Sequence, residues 1–455
     1  MTHEREHDHV RCEAVERASS NDVMELVCDS TGTSMQVAAV LVLETPSPAD
    51  IAAVRAAIAE RITAVPRLRQ RLVRTPFGQG RPVWIDDPSF AIADHVSAVG
   101  CPAPGDEQAL LDVVADRLTR RLPPDSPLWS ATLVTGLADA RSAVVVVFHH
   151  VLADGIGGLA VLTHLVDGVP ILPRQGFPRA APRRRDLLVD VWRSRARAVR
   201  RLPAAAGRLR AAAAELGGGA HPPRCSLNRP TGTGRVLAVA RADLSAVRAA
   251  AHAQGGTIND VVVTAVSGAL GAVLAGRGEP VDRLVISVPV SARQHATTEL
   301  GNQVGVIPVE VPTGGDPVRR LAAVARITRQ RRTGAPGSSA VVIAPVFRAL
   351  AKIGVYGWFV DRQRLVNTFV SNLRGPEHRL SFLGAPVVDV IAVSGISGNV
   401  TVAFVALSYA GTLNITAIAD PERCPDLEVL AEGLRRELRV LSGAAEAVSL
   451  PRRSA

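Results

Sequence analysis

Val144-Val145-Val146-Val147-Phe148 is an unbroken apolar run that ends directly on His149-His150. Valine is stiff at χ1 and favours extended backbone, and a short β-branched run with no polar break reads as a buried strand. Other elements must cover such a strand, and the chain supplies them by alternation. In the N-terminal part, 35–43 reads as a strand, a helix opens at Pro48-Ala49-Asp50 and runs to about 65, and 106–118 reads as a helix. After the histidines comes a tight loop and then a helix over 155–166. From Arg235 onward the signals are again mixed. Thr257 caps a helix through 274, with Asp260 in capping-box register. Strands are expected at 284–290, 366–371, 387–393, 400–407 and 411–418, and helices at 316–331 and 427–441. No short-period repeat occurs. The pattern predicts an α/β protein of two mixed halves.

Length and composition agree. A chain of 455 residues suggests two or three domains, and an apolar fraction of 47% supplies a large core. Aromatics are only 3%, so that core is built from Ala, Val, Leu and Ile. Cys12, Cys28, Cys101, Cys225 and Cys424 are scattered, odd in number and form no CxxC pair. They read as reduced thiols of a cytoplasmic protein, not as a disulfide or zinc framework. Residues 1–18 are expected to be a disordered start: 1–17 is polar, with His3, His7 and His9, and has no charged-then-apolar leader. The longest apolar run, 261–276, is too short for a membrane span.

Between the halves the composition shifts. Residues 19–172 form the N-terminal half, 173–233 a connector and 234–455 the C-terminal half. From Arg174 to Arg210 there are twelve arginines against Asp186 and Asp190, a surplus of ten that equals the net charge of the whole chain. Helices are expected over 185–202 and 203–216. An arginine-rich helix carrying Leu187, Leu188, Val191 and Trp192 suits an anionic membrane or droplet surface, or equally a solvated linker. No nucleic-acid recognition module accompanies the charge.

The chemistry concentrates in His149-His150-Val151-Leu152-Ala153-Asp154-Gly155. An imidazole at a strand end is fixed in position and titrates near neutrality, as a general base for an alcohol requires. Asp154 can hold the turn, and Gly155 lets the backbone turn tightly. The bland alternative is two histidines packed beside a turn. A metal site is disfavoured, because no Cys or carboxylate set completes the coordination. Pro127-Leu128-Trp129 reads as core packing at a strand start, and Asn259-Asp260 as a helix cap.

In its order of motifs, over about 19–441, the chain resembles the bacterial wax ester synthase/diacylglycerol acyltransferase family. That family belongs to the superfamily of chloramphenicol acetyltransferase and nonribosomal-peptide condensation domains. The resemblance rests on Ser20-Asn21-Asp22, Met35-Gln36-Val37, 65–72, 82–88, Pro127-Leu128-Trp129, the histidine motif, Asn259-Asp260, 289–293, 301–305 and 371–376. Ser130 stands where the family often has an acidic residue, and Leu373-Arg374 replaces a frequent Val-Pro.

The resemblance implies two chloramphenicol-acetyltransferase-like halves joined by the long basic connector, with the active site in a channel between them. It implies a long-chain acyl-CoA as co-substrate, diacylglycerol or a fatty alcohol as acceptor, and no cofactor. It assigns the base to His150 and orientation to His149. Asp154 becomes architectural, with Arg293 as its candidate partner. Asn259, Asp260, Ser371 and Asn372 become channel or structural positions. It places the protein in the cytoplasm, either free or peripheral at the inner membrane face or lipid inclusions. Two alternatives stay open: a related or condensation-type enzyme with another acceptor, and a lipid-binding paralogue without catalysis.

Overall fold

The computed structural model describes residues 15–29, 35–45, 49–152, 155–170, 176–200, 222–291, 304–332, 347, 350 and 353–449. Helix α1 (Ser20–Asp29) precedes β1 (Gln36–Glu44) and α2 (Ile51–Arg61). A hairpin of β2 (Gln70–Val73) and β3 (Val83–Asp86) follows, then α3 (Ile92–His95), β4 (Val96–Gly100), α4 (Glu107–Thr119), β5 (Trp129–Leu137), β6 (Arg141–His149) and α5 (Gly155–Leu165). After α6 (Arg184–Arg200) come β7 (Val236–Asp243), α7 (Leu244–Ala253), α8 (Ile258–Gly276), β8 (Arg283–Ser291), β9 (Val304–Pro312) and α9 (Pro317–Arg332). The chain ends with α10 (Tyr356–Val360), β10 (Thr368–Arg374), β11 (Ser381–Phe382), β12 (Ala385–Val393), β13 (Val402–Tyr409), β14 (Thr412–Ala419) and α11 (Leu427–Ser449).

Two six-stranded mixed sheets result, in the orders β11-β12-β1-β6-β5-β4 and β7-β14-β13-β10-β8-β9. They do not follow the division of the chain. The β11–β12 hairpin comes from the C-terminal part, yet β12 pairs antiparallel with β1 in the first sheet. The second sheet is buried on both faces. Ala403, Val405 and Leu407 of β13 join the core shared with the first sheet. Their neighbours Val402, Phe404 and Ala406 pack with α7, α8 and α11 in a second core. Side chains alternate across a strand, so apolar layers on both sides remove the polar alternation from β13, as they do from β6. Each such Val, Leu or Phe fully buried contributes about 1.5–3 kcal/mol of transfer free energy.

Helix α8 contains the apolar run 261–276. Val261, Val262, Val263, Ala265, Val266, Ala269 and Leu270 are fully buried within the second core, so its hydropathy is that of a protein interior. The helix expected to reach 65 stops as α-helix at Arg61 and tightens into 3-10 turns, because Val65 precedes Pro66 and is pushed out of helical geometry.

The expected disorder over 1–18 does not include its last residues. The backbone of Glu16 and Ala18 pairs with Trp84 and Pro82 along β3. Arg17 joins Asp190 and the Leu187 carbonyl of α6. This contact docks the inner face of α6, with Leu187 and Val191 buried and Leu188 and Trp192 left exposed. Residues 1–14 and the second expected connector helix, 203–216, lie outside the described residues.

Candidate active site

Strand β6 is held on one side by β1 and on the other by β5, so its end is fixed up to His149. The backbone N–H groups of His149 and His150 donate to Leu128 O at 2.9 Å and Met35 O at 2.8 Å. The chain then turns, with Leu152 N–H donating to His149 O, and α5 begins at Gly155. Asp154 and Arg293 lie outside the described residues.

The two histidines have different surroundings. His149 is 5% exposed, and its Nδ1 accepts the Val151 N–H at 3.0 Å. That bond assigns the ring proton to Nε2, which lies 3.8 Å from Asp29 Oδ2. His150 is half-buried and borders a cavity, with its Nδ1 3.9 Å from Glu25 Oε1.

Both carboxylates come from α1. Glu25 and Asp29 are four residues apart and therefore share one helix face. The helix starts with a reciprocal cap: Asp22 Oδ2 accepts the Ser19 N–H at 2.7 Å, and Ser19 Oγ accepts the Asp22 N–H at 3.0 Å. Its last turn is fixed twice. Asp29 Oδ1 accepts the Met35 N–H at 3.0 Å, and Cys28 Sγ lies 2.7 Å from the Tyr356 hydroxyl of α10. Burial acts to raise the Asp29 carboxyl, but His149 and the Met35 N–H outweigh it and hold the group below its ordinary value. Burial, then the charge of Glu25, pushes the Cys28 thiol up to about 12. Burial and the neighbouring Cys28 raise Tyr356 as well.

The cavity lies between the two sheets. Val37, Ala38 and Ala39 of β1 and Ala392 and Val393 of β12 form one wall; Ser371 and Leu373 of β10 and Val405 and Leu407 of β13 form the other. Phe148 and Gly158, Leu159 and Leu162 of α5 close it. A Cβ on Gly158 would lie 2.4 Å from Phe148 Cζ, so only glycine lets α5 approach this closely. The free volume is about 80 Å³, a few waters' worth and well under the roughly 300–1,000 Å³ of a typical ligand pocket.

Of the expected positions, the structure brings His150 and Ser371 together at this cavity. Asn372 does not line it, because strand alternation turns it away from the side of Ser371 and Leu373. Asn259 and Asp260 do not line it either. Asp260 accepts from Thr257 N–H at 2.7 Å, Thr257 Oγ1 at 2.9 Å and Thr328 Oγ1 at 2.7 Å, tying the start of α8 to α9. Trp129 stacks on His95 and donates to Leu68 O at 2.7 Å, deep in the first core. Sequence reasoning missed Glu25 and Asp29. Ser19-x-x-Asp22 is a capping-box signal from which α1 and its acidic face were readable.

Residues 19–262 match the family model "Wax ester synthase/diacylglycerol acyltransferase catalytic domain", and residues 300–442 match "WS/DGAT C-terminal domain". The chain belongs to the wax ester synthase/diacylglycerol acyltransferase family. This acyltransferase is 32% identical over 421 residues to a Mycobacterium tuberculosis protein named "probable diacylglycerol O-acyltransferase", with 88% of the chain and 90% of that protein covered. Its fold is that of the wax ester synthase/diacylglycerol acyltransferase from Marinobacter aquaeolei VT8, at TM-score 0.69 and 22% identity, over 95% of this chain and 100% of that one. A mutant starter condensation domain of rhizomide synthetase, solved with C8-CoA and Leu-SNAC, has the same fold at TM-score 0.62 and 17% identity, covering 97% of this chain and 96% of that one. The catalytic-domain match begins at the cap of α1, so the helix that carries Glu25 and Asp29 lies within it.

Proposed function

We propose that this acyltransferase moves a long-chain acyl group from coenzyme A to the hydroxyl of diacylglycerol or a fatty alcohol, with His150 as general base. The observation that carries the reading is the asymmetry of the two histidines. His149 spends Nδ1 on a backbone N–H and is buried, whereas His150 borders the cavity between the sheets. His150 takes the alcohol proton as the oxygen attacks the thioester carbonyl carbon. The C–S bond of the tetrahedral oxyanion then breaks, and the departing CoA thiolate takes the proton back from the imidazolium. Thiolate is a good leaving group, so neither a strong acid nor a covalent acyl-enzyme is required, and acyl-CoA is a co-substrate with no further cofactor. The apolar walls suit long acyl chains, and the names of the relatives support the acceptor. His149 is proposed to orient the motif, with Asp154 and Gly155 holding its turn and Arg293 supporting Asp154.

The test is product formation by purified protein with labelled palmitoyl-CoA and, separately, diacylglycerol, hexadecanol and an amine. Ester with either alcohol supports the reading. Product with the amine alone points to a condensation-type enzyme, and product with none to a lipid-binding protein.

The exposed face of α6 supports a reading of where the protein works. Leu188 and Trp192 are exposed beside Arg185 and Arg193, opposite the face held by Arg17. This arrangement suits a protein in the cytoplasm that binds peripherally to an anionic membrane face or lipid inclusion. Co-sedimentation should favour anionic over neutral vesicles and weaken with salt. Equal binding to both vesicle types counts against it.

A further inference from the structure

We propose that Glu25 is the positioning carboxylate of His150, holding the imidazole with its proton on Nδ1 so that Nε2 faces the cavity as the proton acceptor. The inference rests on His150 being the base and adds the group that sets its tautomer. Glu25 Oε1 faces His150 Nδ1 at 3.9 Å. The contact is longer than a hydrogen bond, and catalytic contacts often tighten only around the reacting complex.

The described neighbours agree with this assignment. His149 cannot orient His150 through Nδ1, which is occupied by Val151 N–H. Asp29 faces His149 and Met35, one helical turn from Glu25. Cys28 lies on the same helix and Tyr356 packs against it, but burial keeps both protonated, so neither supplies a competing anion. Arg121 acts on Asp29. Among the described groups, Glu25 is thus the carboxylate aimed at the imidazole of the base. It is 9% exposed, and the caps on α1 and the Cys28–Tyr356 contact fix its position. The carboxylate favours the imidazolium that forms when the alcohol proton is taken. With the charge removed, the imidazolium formed in the reaction loses its partner, and the acid limb of the pH–rate profile is expected at lower pH.

The experiment is steady-state kinetics of the full chain from acid to alkaline pH, with palmitoyl-CoA and hexadecanol, on wild type, Glu25→Gln, Glu25→Asp and His150→Ala. Glu25→Gln is expected to lower kcat by about tenfold or more, leave both KM values in place, and move the acid limb to lower pH. Glu25→Asp should keep the limb near its wild-type position. Wild-type kcat and limb in Glu25→Gln would overturn the proposal. So would a loss of kcat with the limb unmoved and Glu25→Asp equally impaired, since a purely structural carboxylate behaves that way. Activity retained by His150→Ala would instead remove the underlying base assignment. Should Glu25→Gln fail to fold, 15N shifts of His150 in the wild-type protein decide: a dominant Nε2–H tautomer overturns the proposal and Nδ1–H supports it.

Discussion

The corner where α1 meets the end of β6 and the corner where α8 meets α9 both carry a short polar motif on an apolar background, and the two are built in opposite ways. At the second, Asp260 accepts three hydrogen bonds of 2.7–2.9 Å and is fully engaged. At the first, the carboxylates of Glu25 and Asp29 stand 3.8–3.9 Å from two imidazoles, one of which borders a cavity. A buried carboxylate with short, complete bonding stabilises one geometry. Groups held near each other beside a cavity, but not bonded at full strength, leave room for a proton to move. By this criterion the first corner suits the proposed chemistry, and Asp260 at the second ties helices together.

The largest effect should come from the reactive corner. His150→Ala is expected to lower kcat by about 10²–10⁴-fold with the thermal unfolding curve unchanged. An equal loss of folding would erase the distinction between the corners. The frame should show the reverse behaviour. Arg320, 2% exposed at its side chain, pairs with Glu437 beneath α8, where Gly268 leaves room for it. Arg320→Ala strands a buried carboxylate and is expected to destabilise by about 3–5 kcal/mol in denaturant unfolding, with turnover per folded molecule preserved. Asp260→Ala should lose about 2 kcal/mol in the same measurement, from the cap and the Thr328 bond; a selective loss of kcat would move Asp260 into the active site.

The smallest effect concerns pH. The folded Asp29 carboxyl is held below its ordinary value, so its contribution to stability is in place above about pH 4 and is lost as pH falls through the folded value. Asp29→Asn should lower stability at neutral pH and flatten the acid end of a plot of stability against pH, because the contribution it removes is the one the wild type loses on acidification. An acid limb as steep as wild type would show that other carboxylates set it.

Much of the frame was legible. The runs 35–43, 144–148, 387–393 and 400–407 became β1, β6, β12 and β13, because apolar β-branched stretches have few other places to go. Strand β5 was read only at its start, and strands β7 and β9 and helix α7 were not read. Their patterns are interrupted, as in Arg241 within β7, which reaches across to Glu107 and Asp389 between the layers. The candidate site was half legible. Its histidines stand in one recognisable motif, whereas their carboxylates lie more than a hundred residues earlier, and sequence distance says nothing of contact.

By itself the sequence determined that a valine strand would deliver two histidines to a fixed end, and that the chain belongs with acyl-transferring relatives. Only the tertiary structure gave those histidines their different surroundings. Pairing β12 with β1 placed the second sheet opposite the first and made the cavity, and the packing of α1 assigned one carboxylate to each imidazole. The physical reason is that strand and helix periodicities are local properties. Burial, and the charge a titrating group faces, depend on which distant segments share its surroundings.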